Sequence, residues 1–342
     1  MNSEELKQAA KNIEEIIRTN SEFLLTCHEN PDGDAIGATN AIAKYLEHHE
    51  KNVHVIYPDD IPDKYKFMKF PTSWEYYSDQ FSQEYNGRKK TNYDVVITLD
   101  SSDLDRVDKV VAGLTYSRMI NIDHHPTNTL FADINLVSPQ TSSTCELLYH
   151  LFIELSSDLD YDIAVNLYTG IFTDTGSFRF ENVSRLTFGA AEQLLSYGVK
   201  PHEIAREIYE KMPVNIFNFT KEIINDLRMT TDQRIAWLIC PRQLMEKYDV
   251  DDGEIEGVIT YARMLNPVEF AVVFKETKEG HTKISFRSKT LDVSSVAFDF
   301  GGGGHARAAG CFLEQDIHKS VDLVINRLKK EVLKLNSQPE ER

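Results

Sequence analysis

The sequence predicts an α/β protein: a mainly parallel β-sheet flanked by helices, followed by a smaller α/β domain. Two observations carry this prediction. Short apolar runs alternate with stretches of helical periodicity in the first part of the chain, and strands that alternate with helices form mainly parallel sheets. In addition, 342 residues are enough for two domains with separate hydrophobic cores.

The elements of the first domain, residues 1–198, can be placed in chain order. The amino-terminal segment carries Leu6, Ala10, Ile13 and Ile17 at the spacing of an amphipathic helix. Strands are expected at residues 22–27, 53–57, 93–99 and 118–122. Helices are expected at residues 35–48, 146–155, 163–172 and 186–197.

A helical linker is expected at residues 199–229, where Pro201 and Pro213 interrupt a charged helical pattern. The second domain then covers residues 230–342. Its expected strands are 234–240, 268–275 and 281–286, the last two paired through a turn at Glu279-Gly280. Residues 301–305, a run of four glycines and a histidine, are interpreted as a flexible loop, and residues 316–335 as a closing amphipathic helix.

Composition excludes several classes of function. The formal net charge of −17 argues against long duplex nucleic acid as a partner, because that partner requires a basic face. It does not argue against a short nucleotide, whose few phosphates metal ions and local cations can hold. No apolar run is long enough to span a bilayer, and the charged amino terminus is not a signal peptide. A cytoplasmic protein with no membrane partner is therefore expected, with its four scattered cysteines reduced.

Four short clusters of carboxylates and imidazoles lie in the first domain. They contain His28, Asp32 and Asp34; Asp100; Asp123, His124 and His125; and Asp174. His28, Asp100 and Asp123 follow or end predicted strands, and ligands of parallel sheets bind beyond the carboxyl ends of the strands. We therefore expect one shared site.

Bound metal ions are the simplest compensation for so many carboxylates near buried strands, because uncompensated burial would be very costly. Oxygen and imidazole ligands without thiolate suit a hard or borderline divalent ion such as Mn²⁺ or Mg²⁺. This arrangement is typical of a two-metal phosphoesterase.

Simpler interpretations exist for each cluster taken alone. Asp32 and Asp34 could lie side by side on an extended segment and reach one site, but Asp-Gly-Asp is also a common helix cap. The Asp123-His124-His125 segment could be a solvated loop, and Asp174 a turn residue. The glycines on either side of Asp174, at positions 170 and 176, suit close backbone approach in a site or in packing.

The second domain offers candidates for phosphate recognition. Arg287 ends a predicted strand and could bind phosphate in a bidentate manner, although a surface ion pair is the alternative. The glycine run could let backbone amides approach a phosphate, with His305 as a further contact.

Taken together, these motifs resemble those of the DHH phosphoesterase superfamily, whose name comes from the Asp123-His124-His125 type of segment. The residues 301–310, Gly-Gly-Gly-Gly-His-Ala-Arg-Ala-Ala-Gly, resemble the hallmark of its associated C-terminal substrate-binding domain. Motif order and spacing are similar to those of the nanoRNase and pAp phosphatase branch, the NrnA type.

The resemblance implies roles for individual residues. One Mn²⁺ would bind His28, Asp32 and Asp100, and a second would bind Asp34, Asp100, His124 and Asp174. Mg²⁺ and Co²⁺ are the alternatives to Mn²⁺. Asp100 would bridge the ions and His125 would contact the scissile phosphate, so both are implied as catalytic. The implied substrate-binding residues are Arg106, Arg287, Ser288, Gly302, Gly303, Gly304 and His305.

The implied reaction is attack on phosphorus by a hydroxide that two metals generate at neutral pH. The implied substrates are short RNA oligonucleotides, linear dinucleotides such as pApA and pGpG, and pAp. The alternatives are a pyrophosphatase or a single-strand exonuclease of the same superfamily, and a catalytically inactive nucleotide sensor. The glycine-rich segment argues against the pyrophosphatase, and the short acidic chain against the exonuclease. Whether the protein is a monomer or a homodimer stays open.

Overall fold

The computed structural model describes residues 3–77, 92–250, 255 and 257–335, and its fold class is α/β, as predicted. The chain divides into two compact units at Lys211 and Met212. Each unit contains one six-stranded sheet with its own helices. Within the described residues, no helix combines the length and the apolar character that crossing a membrane requires.

The sheet of the first unit is parallel throughout, in the order β3-β2-β1-β4-β5-β6. Its strands are β1 Glu22–Cys27, β2 Asn52–Tyr57, β3 Trp74–Tyr76, β4 Asn92–Leu99, β5 Thr115–Asp123 and β6 Ile134–Val137. The four predicted strands are all present. The sequence missed β3 and β6, which have only three and four residues and therefore too little pattern to detect.

Seven helices are described in the first unit, and six of them pack on one face of the sheet around a large apolar core. They are α1 Ser3–Thr19, α2 Gly33–His48, α3 Asp108–Val111, α4 Thr144–Glu154, α5 Tyr161–Asp174, α6 Arg185–Ser196 and α7 Pro201–Tyr209. The short helix α3 packs on the other face, where Leu24, Val96 and Met119 form a smaller core with it.

Helices α2, α4 and α5 approach one another unusually closely because glycines lie at their contacts. A Cβ atom on Gly37 of α2 would lie 2.5 Å from the carbonyl oxygen of Asn166 in α5. A Cβ atom on Gly170 of α5 would lie 2.2 Å from Sγ of Cys145 in α4. This packing fixes the start of α2 against the end of α5.

The segment expected to be a linker is divided between the two units. Ile204 of α7 is buried in the core of the first unit. Helix α8, Val214–Asn225, buries Phe219 and Ile223 in a core of the second unit. Both helices are therefore parts of folded units.

The sheet of the second unit is mixed, in the order β11-β12-β10-β9-β8-β7. Its strands are β7 Arg228–Met229, β8 Ile235–Cys240, β9 Phe270–Glu276, β10 Thr282–Ser288, β11 Gly303–His305 and β12 Ala308–Leu313. Its helices after α8 are α9 Arg242–Tyr248, α10 Ile259–Met264, α11 Ser294–Phe298 and α12 Ile317–Leu335. The predicted pairing of β9 with β10 is antiparallel, as expected.

The interpretation of residues 301–305 as a flexible loop is wrong for part of the segment. The backbone of Gly303–His305 forms β11, which pairs with β12. A Cβ atom on Gly302 would lie 2.1 Å from the carbonyl oxygen of Gly310, so a glycine is required there for close strand packing. The glycines therefore have a structural role that the sequence pattern did not indicate.

Candidate metal centre

Three neighbouring strands bring the sequence-predicted donors to one edge of the first sheet. His28 follows β1, Asp100 follows β4 and His124 follows β5. These strands are adjacent and parallel, so their carboxyl ends meet at the same edge. Asp34 lies in the first turn of α2, and Asp174 is the last residue of α5.

The donor atoms form three overlapping groups, within each of which all atoms lie within 4.8 Å of one another. The groups are His28, Asp32 and Asp100; Asp34, His124 and Asp174; and Asp100, His124 and His125. Asp100 belongs to two of the groups, as expected for a residue between two ions.

The separations within the groups suit shared ions. His28 Nε2 lies 3.5 Å from Asp100 Oδ2. His124 Nε2 lies 3.6 Å from both Asp100 Oδ1 and Asp174 Oδ2, and 4.0 Å from Asp34 Oδ2. Two ligands on one ion are roughly 3 to 3.5 Å apart when each bond is about 2.1 Å. The residues present therefore fit a divalent ion.

Hydrogen bonds orient two of the imidazoles. His28 Nδ1 lies 2.7 Å from the carbonyl oxygen of Glu29, to which it donates, so Nε2 is the ring nitrogen that faces Asp100. His125 Nδ1 lies 2.7 Å from Asp123 Oδ1. Asn128 Nδ2 in turn donates to Asp123 Oδ2 at 2.7 Å. Such partners fix the tautomer and direction of a ligating or catalytic ring.

Asp32 combines the two roles that the sequence left as alternatives. It is the N-cap of α2, where its Oδ1 accepts from the backbone N–H groups of Asp34 and Ala35 at 3.0 Å. It also belongs to a donor group with His28 and Asp100. The expectation that Asp32 and Asp34 lie on one extended segment is wrong, because Asp34 is already helical.

Asp100 has a left-handed backbone, with a φ of +55°. Aspartate tolerates this conformation better than most non-glycine residues. The backbone N–H of Asp100 donates to the carbonyl oxygen of Ile122 at 2.9 Å, which ties the turn after β4 to the neighbouring strand. Strained residues of this kind concentrate at functional sites.

Burial gives the cluster unusual proton affinities. It raises the pKa of Asp34 to about 7, with a further contribution from Asp100, and it raises the pKa of Asp174 well above the usual range. Burial opposes ionisation of His28 and Asp100 alike, yet their interaction with each other, together with the charges of neighbouring carboxylates and imidazoles, outweighs it. The pKa of His28 rises to about 9, and that of Asp100 falls below its usual range. The buried carboxylates of this cluster therefore require positive charge close to them, which divalent ions could supply.

Arg106 lies near the cluster and is half-buried. Its charge lowers the pKa of both His28 and His125, although other groups outweigh this effect. Its backbone carbonyl accepts from the N–H of Glu29 at 3.2 Å. This position is compatible with the phosphate contact predicted for it.

The other predicted substrate residues lie in the second unit. Arg287 lines a pocket together with Lys275, Lys283 and Ser285. The buried hydroxyl of Ser288 donates to the backbone carbonyls of Leu291 and Ala306, which indicates a structural role for it. The side chain of His305 lies outside the described residues.

The sequence did not reveal the residues that support the donors. Backbone N–H groups of Thr144 and Cys145 donate to the two carboxylate oxygens of Asp34, at 2.7 and 2.9 Å. The run Ser142-Ser143-Thr144, which leads into α4, signals a helix start. No sequence signal indicates that this helix start faces the donors.

Comparison with known proteins gives two domain matches. Residues 22–171 match the N-terminal domain of the DHH family, and residues 235–334 match the DHHA1 domain. The bifunctional oligoribonuclease and PAP phosphatase NrnA of Thermus thermophilus is 30% identical over 313 residues, which are 90% of this chain and 89% of that protein. The protein of the same name from Bacillus subtilis is 26% identical over 307 residues, 86% of this chain and 91% of that protein.

A crystal structure of an exopolyphosphatase-related protein from Bacteroides fragilis is also similar. It has a TM-score of 0.89 and 26% identity, and the match covers 97% of this chain and 98% of that one. The domain matches and these relatives are those of a phosphoesterase, an enzyme that hydrolyses phosphate esters. The chain belongs to the DHH family and carries a DHHA1 domain as its second part.

Proposed function

We propose that the protein is a Mn²⁺-dependent phosphodiesterase and phosphatase with two divalent ions. Its substrates are short oligoribonucleotides and linear dinucleotides such as pApA and pGpG, which it hydrolyses to mononucleotides, and pAp, which it hydrolyses to AMP. Mg²⁺ and Co²⁺ are the alternative ions.

One observation carries the proposal: Asp100 belongs to two donor groups. The first of these groups also contains His28 and Asp32, and the second also contains His124 and His125. His124 belongs in addition to a third group, with Asp34 and Asp174. A carboxylate between two sets of oxygen and imidazole donors suits a pair of hard or borderline divalent ions. When bound, such a pair supplies an activated water and neutralises charge on the phosphoryl group.

His125 is the best candidate for proton transfer to the leaving oxygen. Burial disfavours its charged form, but the bond to Asp123 and the charge of Asp100 raise its pKa above the ordinary histidine value. The ring can therefore carry a proton near neutral pH. Asp123 holds it in one orientation, as the carboxylate of a catalytic triad does for its histidine.

Arg106 is the candidate for phosphate binding in the first unit, and Arg287 in the second. A guanidinium matches phosphate geometry with two parallel hydrogen bonds. The glycines Gly302, Gly303 and Gly304 and the residue His305 are proposed as further contacts. Gly303 suits this role because the space around its missing side chain is open.

The relatives support this choice of substrates. The Thermus thermophilus and Bacillus subtilis proteins are named as oligoribonucleases and PAP phosphatases, and each aligns over most of this chain. The formal net charge of −17 also favours substrates with few phosphates over long nucleic acids, because a long nucleic acid requires a basic binding face.

The test is a hydrolysis panel with purified protein, first stripped of metal and then supplemented with Mn²⁺, Mg²⁺ or Co²⁺. The substrates are pAp, pApA, pGpG, a five-residue RNA and inorganic pyrophosphate. We expect release of mononucleotides and AMP with Mn²⁺ and none after chelation. Preferred hydrolysis of pyrophosphate would identify a pyrophosphatase instead, and tight nucleotide binding without turnover would identify a sensor.

A further inference from the structure

One buried residue contacts two carboxylates that belong to different donor groups. Thr144, the first residue of α4, donates from Oγ1 to Asp100 Oδ1 at 2.8 Å. Its backbone N–H donates to Asp34 Oδ2 at 2.7 Å. Asp100 follows β4, whereas Asp34 belongs to α2, and Thr144 joins them directly. We propose that Thr144 is a positioning residue that sets the separation of Asp100 and Asp34, and thereby of the two metal ions.

The turn that carries Thr144 is itself held firmly. Glu146, which is almost completely buried, accepts hydrogen bonds from the backbone N–H of Ser142 at 3.0 Å, from the Ser142 hydroxyl, and from Thr187 Oγ1 at 2.8 Å. Ser143 Oγ caps α4 by accepting from the N–H of Glu146 at 2.9 Å. The position of Thr144 is therefore determined by groups that do not belong to the metal cluster.

The same turn is connected to the third source of donors, the end of α5. Asn182 Nδ2 donates to the carbonyl oxygen of Ser142 at 2.9 Å and to that of Asp174 at 3.2 Å. Asp174 provides its carboxylate to the group of Asp34 and His124. The turn at residues 142–144 is thus a common support for Asp34, Asp100 and Asp174.

A positioning role follows from the direction of these hydrogen bonds. Each carboxylate oxygen that accepts from Thr144 keeps another lone pair for a metal, and the bond fixes where that lone pair points. Donors that are oriented before the ion arrives need less reorganisation on binding. Without the Thr144 hydroxyl, Asp100 would lose the hydrogen bond that directs Oδ1, and an ion bound by Asp100 would lose a ligand that is oriented in advance.

The simpler alternative is that the hydroxyl only satisfies a buried polar contact. Loss of that contact would lower the stability of the fold but would leave metal affinity unchanged. Metal binding without substrate separates the two interpretations, and it does not depend on which phosphate ester is the natural substrate. The inference rests on the proposed two-metal function.

The experiment compares Thr144→Val, which removes the hydroxyl at constant shape, with Thr144→Ser, which keeps it. Thr169→Val is the control, since Thr169 is equally buried but donates to the carbonyl of Val165 within α5 at 2.7 Å. Mn²⁺ binding to metal-free protein is measured by equilibrium dialysis and by the electron paramagnetic resonance spectrum of coupled Mn²⁺ pairs. Unfolding in urea is measured in parallel.

We expect Thr144→Val to bind Mn²⁺ about 10- to 100-fold more weakly, the usual cost of losing an outer-shell partner, and to lose the coupled-pair spectrum. Thr144→Ser and Thr169→Val should bind like the wild type. Equal affinity of the valine and serine variants would overturn the inference. If Thr144→Val does not fold, the Mn²⁺ affinities of Thr144→Ala and Thr144→Ser are compared instead. Both variants lack the methyl group of threonine, and only the serine variant keeps the hydroxyl.

The two proposals can fail separately. A wild-type protein that binds two coupled Mn²⁺ ions but hydrolyses no member of the substrate panel contradicts the proposed substrates. In that case the comparison of the Thr144 variants still decides the positioning role, because it requires only Mn²⁺.

Discussion

Asp100 is the residue on which the candidate site depends most. Its carboxylate lies within reach of His28 and His124 and accepts a hydrogen bond from Thr144. Its backbone has a left-handed conformation in the turn after β4. No other described residue belongs to both the group of His28 and the group of His125. Under the proposed two-metal function, removal of its charge should therefore affect both ions together.

Asp100→Asn should abolish metal-dependent turnover while the fold is kept, because asparagine also tolerates the left-handed backbone. We expect at least a roughly 100-fold loss, since changes outside the ligand shell already cost about 10- to 100-fold. Hydrolysis rates and bound Mn²⁺ per chain are the measurements. Asp94→Asn is the control: Asp94 lies near the other end of β4, where it accepts from the N–H groups of Ser21 and Glu22. Turnover of Asp100→Asn within a few fold of the wild type would remove Asp100 from the site.

Glu146 should make stability depend on pH. Burial raises the pKa of its carboxyl, but the nearby His150 ring and the donors of Ser142 and Thr187 outweigh burial and hold that pKa below its usual value. A lowered folded-state pKa stabilises the protein fully above the unfolded value of about 4.3. That contribution is lost as the pH falls through the lower pKa of the folded state.

Glu146→Gln should therefore be less stable than the wild type at pH 7, and the difference should shrink as the pH falls toward 3. Urea unfolding at a series of pH values measures it. Glu192→Gln, at an exposed position of α6, is the control for the loss of one carboxylate. A difference for Glu146→Gln that stays constant from pH 7 to 3 would mean that the carboxyl titrates alike in both states.

At the scale of elements, the close approach of α2, α4 and α5 is what brings Asp34 and Asp174 together. Gly170 is the tightest point, because a Cβ atom there would lie 2.2 Å from Cys145 Sγ and 2.8 Å from Asp34 Oδ1. The helices can accept a methyl group only by moving apart. The packing of these helices and the geometry of the donors are therefore coupled.

Gly170→Ala should destabilise the protein by about 1–3 kcal/mol, the usual cost of overpacking a core, and should weaken Mn²⁺ binding as well. Gly189→Ala is the matched control: Gly189 is also helical, in α6, but a methyl group added to it would meet open space, with nothing within 4 Å. Alanine there should stabilise by about 0.5–1 kcal/mol. Urea unfolding and Mn²⁺ titration test both. Unchanged Mn²⁺ affinity in a destabilised Gly170→Ala would show that packing and donor geometry are independent.

Long buried strands and periodic helices could be predicted from sequence, because each carries its own pattern. Strands β1, β2, β4 and β5 were found in this way, and with them the donors at their ends. The strand β11 could not be found, since glycine has low strand propensity and its pairing with β12 depends on a close approach that only the fold reveals. The contacts of Thr144 with Asp34 and Asp100 were missed for the same reason: they join residues far apart in the chain.

At the scale of the whole molecule, every donor group found among the described residues lies in the first unit. Arg287 lies in the second unit, on β10, beside Lys275 and Lys283 in a pocket. We therefore expect changes at Arg287 to affect substrate binding without affecting metal content.

Arg287→Ala should raise KM for dinucleotides and leave bound Mn²⁺ unchanged. A charge-assisted phosphate contact contributes roughly 1.5–3 kcal/mol, which corresponds to a loss on the order of 10- to 150-fold in kcat/KM. Arg327→Ala is the control, because Arg327 of the same unit forms a surface ion pair with Asp299 at 2.7 Å and should change kcat/KM very little. Steady-state kinetics that are the same for both variants would exclude Arg287 as a phosphate ligand.

The confinement of the donors to the first unit has a consequence for how such enzymes can diversify. Under the proposed function, mutations in the second unit leave the donor groups unchanged and alter substrate binding alone, so many of them can accumulate while hydrolysis of phosphate esters continues. New preferences for the length or base of a nucleotide can then arise by small steps. In the first unit, by contrast, α2 and α5 carry donors and α4 holds those donors by hydrogen bonds, while all three helices pack together. A change in one helix there requires compensating changes in the others.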